Sequence, residues 1–382
     1  MIVGFSGKIF KRYEGDGMDL LRETVDEALE MAGMEYKDID GVIANAGRGG
    51  FYGDKTFFNP ADQISEYFGI RPKYIDHVQY GGPSALTMIY RAYKAIRAGE
   101  ADTILCIQGG KISQFRDGTV RPPKTDIIDT PFEDFIKIYD QMLPISDYAM
   151  VAYRHYKLFG TTDEQRALIS VMQRYNAMYN EKAIFRSPLS VKDVLSSRIV
   201  SYPLHLLEIV YPVDGFHAFI VSKKTSKSNL RNIDILAYGE AHWTEPPAEW
   251  EDIVYTPAVE SSKRASFNLD KVDTFQLYDS FTITVMLQME DIGLVEKGKV
   301  GSFVESNDLT FKGNIPTNTG GGSLNTGQPA YMSGGVILEE ALLQLNGMAK
   351  GHQVKDVNVA YINGIGWWSR RHSVTLVLGE KK

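Results

Sequence analysis

Cysteine is nearly missing from this chain of 382 residues, with Cys106 the one example. A single thiol excludes an internal disulfide framework and a zinc site built from several thiolates. It fits a reducing, cytoplasmic setting. Long apolar runs are missing as well. No stretch approaches the ~18 apolar residues of a membrane-spanning helix. The opening MIVGFSGKIFKRYEGDG lacks the charged and apolar regions of a secretory signal. Basic charge is not in excess: the net charge is −7 and the pI is near 5.6. A nucleic-acid backbone is therefore not the expected partner. The histidines are scattered, with no H-x-x-x-H pair, so no metal site is expected. Neither G-x-x-x-x-G-K-[ST] nor a G-x-G-x-x-G turn after a first strand occurs, which argues against nucleotide binding in those modes.

What is present reads as an α/β chain of roughly two units at ~150–200 residues each. Met1–Phe5 reads as a strand. In Met18–Ala32, Leu20, Leu21, Val25, Ala28, Leu29 and Ala32 fall at helical spacing, and Gly33 follows as a stop. Ile39–Ala44, Ile75–Tyr80 and Thr103–Gln108 read as buried strands. Asn59–Tyr67 and Ala85–Ala98 read as helices, the second with Ser84 as N-cap and Gly99 as its end. This rhythm predicts largely parallel pairing. Residues 109–202 break it with a proline-bearing loop and three helical segments, Asp147–Phe159, Asp163–Tyr179 and Val191–Arg198. So long a connection reads as an inserted functional cap. Tyr211–Val221 returns to sheet.

A second half repeats the grammar. It runs through strand-like Ile233–Ala241, strand Thr274–Leu277 with helix Phe281–Met289, and a glycine-rich stretch, Gly320–Gly335, leading into helix Val336–Leu345. Val357–Ile362 and Ser373–Leu378 close it. In both halves a Gly/Pro turn feeds a helix N-terminus: Gly81-Gly82-Pro83-Ser84 and Gly327-Gln328-Pro329. The polar Thr225–Asn232 predicts a boundary between halves 1–228 and 229–382.

Five segments in order carry a resemblance to the thiolase superfamily, most to the sterol-carrier-protein-type thiolases and their thiolase-like relatives. They are Met18–Ile43 with its Asp38-Ile39-Asp40-Gly41-Val42 ending, Tyr156–Asn180, Ser187–Asp214, Leu277–Gly293, and Asn318–Gly334. The resemblance implies a thiolase-like fold, with two duplicated α/β halves in five layers (αβαβα) and a helical cap. It also implies a CoA thioester as ligand with no covalently bound cofactor, and a homodimer or larger assembly. The chain departs from the family where chemistry is done. The cysteine of C-x-S-G, placed by the family at a helix N-terminus that lowers a thiol pKa, corresponds here to Gly82. The histidine of G-H-P corresponds to Gln328. The H-D-x-F block reads Tyr278-Asp279-Ser280-Phe281, and Tyr361–Gly366 has neither cysteine nor histidine. Cys106, in an expected core strand, is no substitute.

Tyr278, Tyr331 and Tyr361 fall on motif positions, and Tyr80 lies beside the missing cysteine. A phenol can move protons when its surroundings favour it. Some thiolase-like proteins are retro-aldolases that lack the cysteine, rely on tyrosines, and work with a small acyl-CoA-binding partner of zinc-ribbon/OB-fold type. Tyr278, Tyr331, Tyr361, Gln328 and Asp279 are therefore the candidate catalytic residues, with Asp279 able instead to cap the helix starting at Phe281. Gly82, Ser84, Gly321, Gly322 and the cap residues Lys182, Arg186, Lys192 and Arg198 are the candidates for holding CoA, although the basic residues also suit a solvated face. Trp367-Trp368 would line an acyl pocket, an interface or the core. Two functions stay open. One is C–C bond chemistry on a CoA thioester, of retro-aldolase or atypical acyltransferase type, without a cysteine nucleophile. The other is an inactive homologue serving as a binding or scaffold subunit.

Overall fold

The computed structural model describes residues 1–45, 51–52, 55–56, 59–113, 144–224, 230–245, 247–330, 334–366 and 370–380. The first sheet contains β1 (Ile2–Phe10), β2 (Gly41–Asn45), β3 (Tyr74–Val78), β4 (Thr103–Gly110) and β5 (Pro212–Ser222), in the order β1-β5-β4-β2-β3. The expected parallel pairing holds for β2, β3 and β4, while β5 runs antiparallel to both β4 and β1. Helices α1 (Gly17–Ala32) and α2 (Pro60–Phe68) cover one face of this sheet. Asp16 starts α1 by accepting from Met18 N, and Gly33 ends it at φ 64°. Its apolar stripe, Leu20, Leu21, Val25, Ala28 and Leu29, is buried in a satellite core with Val42, Leu105 and Ile220.

The second sheet contains β6 (Ile233–His242), β7 (Thr274–Leu277), β9 (Val359–Gly366) and β10 (His372–Glu380), in the order β6-β10-β9-β7. The two-residue strand β8 (Gln328–Pro329) leaves this half to pair with the start of β5. Helices α7 (Ala258–Ala265) and α8 (Thr282–Asp291) lie on the outer side of the second sheet. Between the two sheets run α3 (Ser84–Ala98) and α11 (Gly334–Leu345), each touching strands of both. The main core is this shared layer, from Leu86 and Ile89 to Ile337 and Leu342. Five layers result, αβαβα, as the resemblance implies.

Of the cap, α4 (Ile145–Phe159), α5 (Asp163–Met178) and α6 (Val191–Ser196) form. Thr162 and Gln165 make a reciprocal capping box at the start of α5. The buried Arg166 of α5 reaches Glu208 at 3.1 Å, a desolvated cation met by a desolvated anion. Helix α9 (Val300–Ser306) and the five-residue α10 (Gly322–Thr326) pack on α5. Residues 114–143 of the expected cap, Tyr331, the Trp367-Trp368 pair and 225–229 of the expected boundary lie outside the described residues. One local expectation is corrected. Ser84 is the first residue of α3 rather than its N-cap, and its Oγ accepts from Tyr80 N at 2.9 Å, closing the turn behind it.

Candidate active site

Strand β7 ends at Leu277, whose N–H and C=O are both bonded by the Asn318 side chain. Tyr278 continues the pairing by donating its N–H to Asn363 O, and Gln288 Nε2 donates to its carbonyl at 2.6 Å. The backbone is thus fixed on both sides, and the ring points at the N-terminus of α3. A Cβ on Gly82 would sit 2.3 Å from Ile365 O and 2.6 Å from the Tyr278 ring. The aromatic ring takes up the volume a side chain at position 82 would need. The Tyr278 hydroxyl donates to Gln328 Oε1 at 3.2 Å. Gln328 is held in place by β8, its N–H donated to Tyr211 O.

Three further glycines close the cluster. A Cβ on Gly334, at the start of α11, would meet Gly82 O at 2.1 Å, so the N-termini of α3 and α11 converge on one point. Cβ atoms on Gly364 and Gly366 of β9 would lie 2.8 Å from Pro83 Cα and 2.3 Å from Gly82 N. Residues of three separate motifs, Gly82, Tyr278 and Gln328, therefore meet in space.

Other candidates go elsewhere. Asp279 is fully buried and accepts from Ser323 N and Leu324 N, at 2.9 and 3.0 Å, so it caps α10 and not the helix after Phe281. Burial pushes its pKa up to about 6, with the two N–H groups opposing. Gly322 (φ 62°) admits no side chain because a Cβ would lie 2.1 Å from Asp279 Oδ2, and one on Gly321 would strike Ala177 of α5. These glycines serve packing between cap and core. Tyr361 does not join the cluster. Successive strand residues face opposite ways, and Gly364 and Gly366 take the face of β9 toward Pro83. Tyr361 sits on the other face, its ring 5.8 Å from Phe275, and burial pushes its pKa up. Cys106 is buried against Met88 on α3, and burial likewise raises its thiol pKa.

The basic residues divide. Arg186, Lys192 and Arg198 are exposed. Lys182 is already engaged, its Nζ 2.6 Å from Glu339 Oε1. Glu339 in turn lies 3.4 Å from His217 Nε2 on β5. Burial alone would raise the Glu339 pKa, but Lys182 and His217 hold it down to about 2. Its neighbour Glu340 pairs with His352 at 3.1 Å. This ionic row around two buried glutamates, with Lys182 at its exposed end, was not foreseen. Its signal was the Glu339-Glu340 pair inside an otherwise apolar helix, since buried carboxylates need partners. Gln108 was also missed: its Oε1 accepts from Gly335 N at 2.6 Å and satisfies an orphan donor of α11. Among the described residues no group of three or more His, Cys, Asp or Glu could hold a metal ion.

Comparison with known proteins gives the same frame. Residues 239–380 match the family model "Thiolase C-terminal domain-like". Acetyl-CoA acetyltransferase of Methanothermobacter thermautotrophicus is 28% identical over 356 residues, covering 91% of each chain. The 17-hydroxy-3-oxo-4-pregnene-20-carboxyl-CoA lyase of Mycobacterium tuberculosis is 27% identical over 372 residues, also covering 91% of each. Among solved structures, the Ltp2-ChsH2(DUF35) aldolase superposes with a TM-score of 0.86 at 23% identity, over 99% of this chain and 97% of that one. The layered fold, the convergent helix N-termini and these near full-length matches agree: the fold is thiolase-like, residues 239–380 match the thiolase C-terminal model, and the chain is similar to thiolase-superfamily proteins over nearly its whole length.

Proposed function

We propose that this chain acts on a CoA thioester and breaks a C–C bond by a retro-aldol route, without an acyl-cysteine intermediate. The observation that carries the reading is the Tyr278 ring filling the space beside Gly82 with its phenol on Gln328. A phenol and an amide stand where a thiol and an imidazole would serve acyl transfer. Retro-aldol cleavage asks for less than acyl transfer. A base removes the proton of a β-hydroxyl, the Cα–Cβ bond breaks, and its electrons pass into the thioester carbonyl as an enolate. Protonation at Cα then releases an acyl-CoA and an aldehyde or ketone. No covalent carrier is needed. Tyr278 is assigned the proton transfer, and the Gln328 amide together with the converging helix N-termini the enolate oxygen. The lyase and aldolase names among the relatives support the reading. We further propose a homodimer or larger assembly and a small acyl-CoA-binding companion of zinc-ribbon/OB-fold type, the second in keeping with the DUF35 component in the solved aldolase's name.

The test is calorimetric titration with acetyl-CoA and with a longer β-hydroxyacyl-CoA, followed by mass analysis of products. Cleavage to a carbonyl compound, reduced on the order of 100-fold or more by Tyr278→Phe, is expected. Binding without cleavage would replace the lyase reading with that of a binding subunit. Absence of binding would remove the CoA ligand altogether.

A further inference from the structure

A second set of titratable groups, unused in the reaction above, lies where α3 meets the ends of β6 and β10. His242 and His372 are the last cross-strand pair of that ladder, and their Nδ1 atoms are 2.8 Å apart. On its other side His242 Nε2 is 2.8 Å from Glu240 Oε1, and the second Glu240 oxygen accepts from Tyr238. A carboxylate acceptor fixes Nε2 as protonated. The two facing Nδ1 atoms must then hold one proton between them. With none, two lone pairs face each other; with two, as when both imidazoles are cations, two N–H donors do.

The Tyr80 ring packs on both imidazoles, at 4.8 and 4.9 Å between centroids. Its hydroxyl accepts from Arg91 Nη2 at 3.0 Å, and Arg91 is paired with Asp76 of β3. Tyr80 leads directly into the Gly81-Gly82-Pro83 turn and donates its N–H to Ser84 Oγ. His372 is paired across the ladder with Gly366, the glycine packed on Gly82 N and Tyr80 O. The imidazole pair therefore touches the turn through the Tyr80 ring and through β9.

We propose that His242 and His372 are positioning residues, a shared-proton clasp that fixes Tyr80 and with it the Gly82 turn, and that opens when both imidazoles are protonated. The role in catalysis rests on the reading of Gly82, Tyr278 and Gln328 as the reacting site; the clasp itself does not. The groups facing it are Glu240 and Tyr238 from β6, Arg371 beside β10, Arg91 from α3, Asp76 from β3, and Tyr80. Burial, then His242 and Arg371, hold the His372 pKa down to about 4 against the pull of Glu240, which places opening on the acid side of neutrality.

The experiment is amide hydrogen exchange of the whole chain at neutral pH and near pH 3.5, corrected for intrinsic rates and read on the amides of residues 79–85. The wild type should lose at least tenfold protection in acid. His372→Asn, whose side-chain amide can donate to His242 Nδ1 when that imidazole is neutral and accept from it when protonated, should keep protection within threefold. His372→Phe should show the acid behaviour of the wild type at both pH values. Equal acid losses in wild type and His372→Asn, or full protection in His372→Phe, would overturn the clasp. No substrate is involved, so that failure leaves the retro-aldol reading standing, and a failed cleavage assay leaves the clasp standing.

Discussion

Tyr278 and Asp279 are neighbours at the end of one strand, yet they reach two different glycine turns. Tyr278 lies against Gly82 of the first half, and Asp279 against Gly322 of the second. Both side chains occupy space that a Cβ on the facing glycine would need. At Asp279 both carboxylate oxygens are engaged by backbone donors of α10, so the residue is a buried cap turned toward the loop. At Tyr278 the ring does the filling while the hydroxyl is carried on to the side chain of Gln328. A glycine opposite a large residue thus marks packing, and only the destination of the polar atom separates a structural plug from a candidate catalyst.

The sharpest way to break this comparison is to put a side chain back. Gly82→Cys forces a Cβ into the Tyr278 ring and the Ile365 carbonyl, and overpacking of this kind costs about 3 kcal/mol. Tyr278→Ala alone opens a cavity at a cost of about 3–4 kcal/mol. The double variant should be more stable than the sum of the two by at least about 1 kcal/mol, because each change relieves the other. Urea unfolding of the three variants measures it, and simple additivity would show that the ring does not fill the position.

Asp279→Ala comes next. It leaves two buried N–H groups without an acceptor, a loss of about 2–3 kcal/mol. Its pH signature is also defined. The folded-state pKa, about 6, lies above the ordinary 3.8, so the protonated form favours the fold. This contribution is full below about pH 4 and is lost as the pH rises through 6. In the variant, unfolding free energy should fall less steeply across that window. A residual slope should remain from Asp291, whose pKa burial also raises to about 6. An unchanged slope would mean that Asp279 is already ionised at pH 4 in the fold.

Element types and their order were readable from periodicity and stop signals. Strand Thr274–Leu277 falls where the pattern puts it, and α1 and α3 end at Gly33 and Gly99 as expected. The antiparallel β5 was not readable, because a run buried on both faces carries no sign of its partner's direction. At the site, motif order pointed to Gly82, Tyr278 and Gln328. Sequence could not separate them from Tyr361, since a shared motif says nothing about which face of a strand a residue takes. The His217–Glu339–Lys182 row escaped for a related reason. Its members lie far apart in the chain, and Lys182 in a cap segment reads as easily as a phosphate ligand as the partner of a buried carboxylate.

Tyr361 supplies the smallest effect and the cleanest control. It is as buried as Tyr278 and carries the same phenol, but it faces Phe275 on the far side of β9 from Pro83 and Gly82. Loss of its hydroxyl should change stability by no more than about 1 kcal/mol. Turnover of a β-hydroxyacyl-CoA by Tyr361→Phe should stay within about twofold of wild type, where Tyr278→Phe loses about 100-fold. Measuring kcat and KM for both variants separates position from residue type. Equal losses would mean that burying any phenol in this half disturbs the site, and the face of the strand would then no longer explain why one tyrosine is a candidate and the other is not.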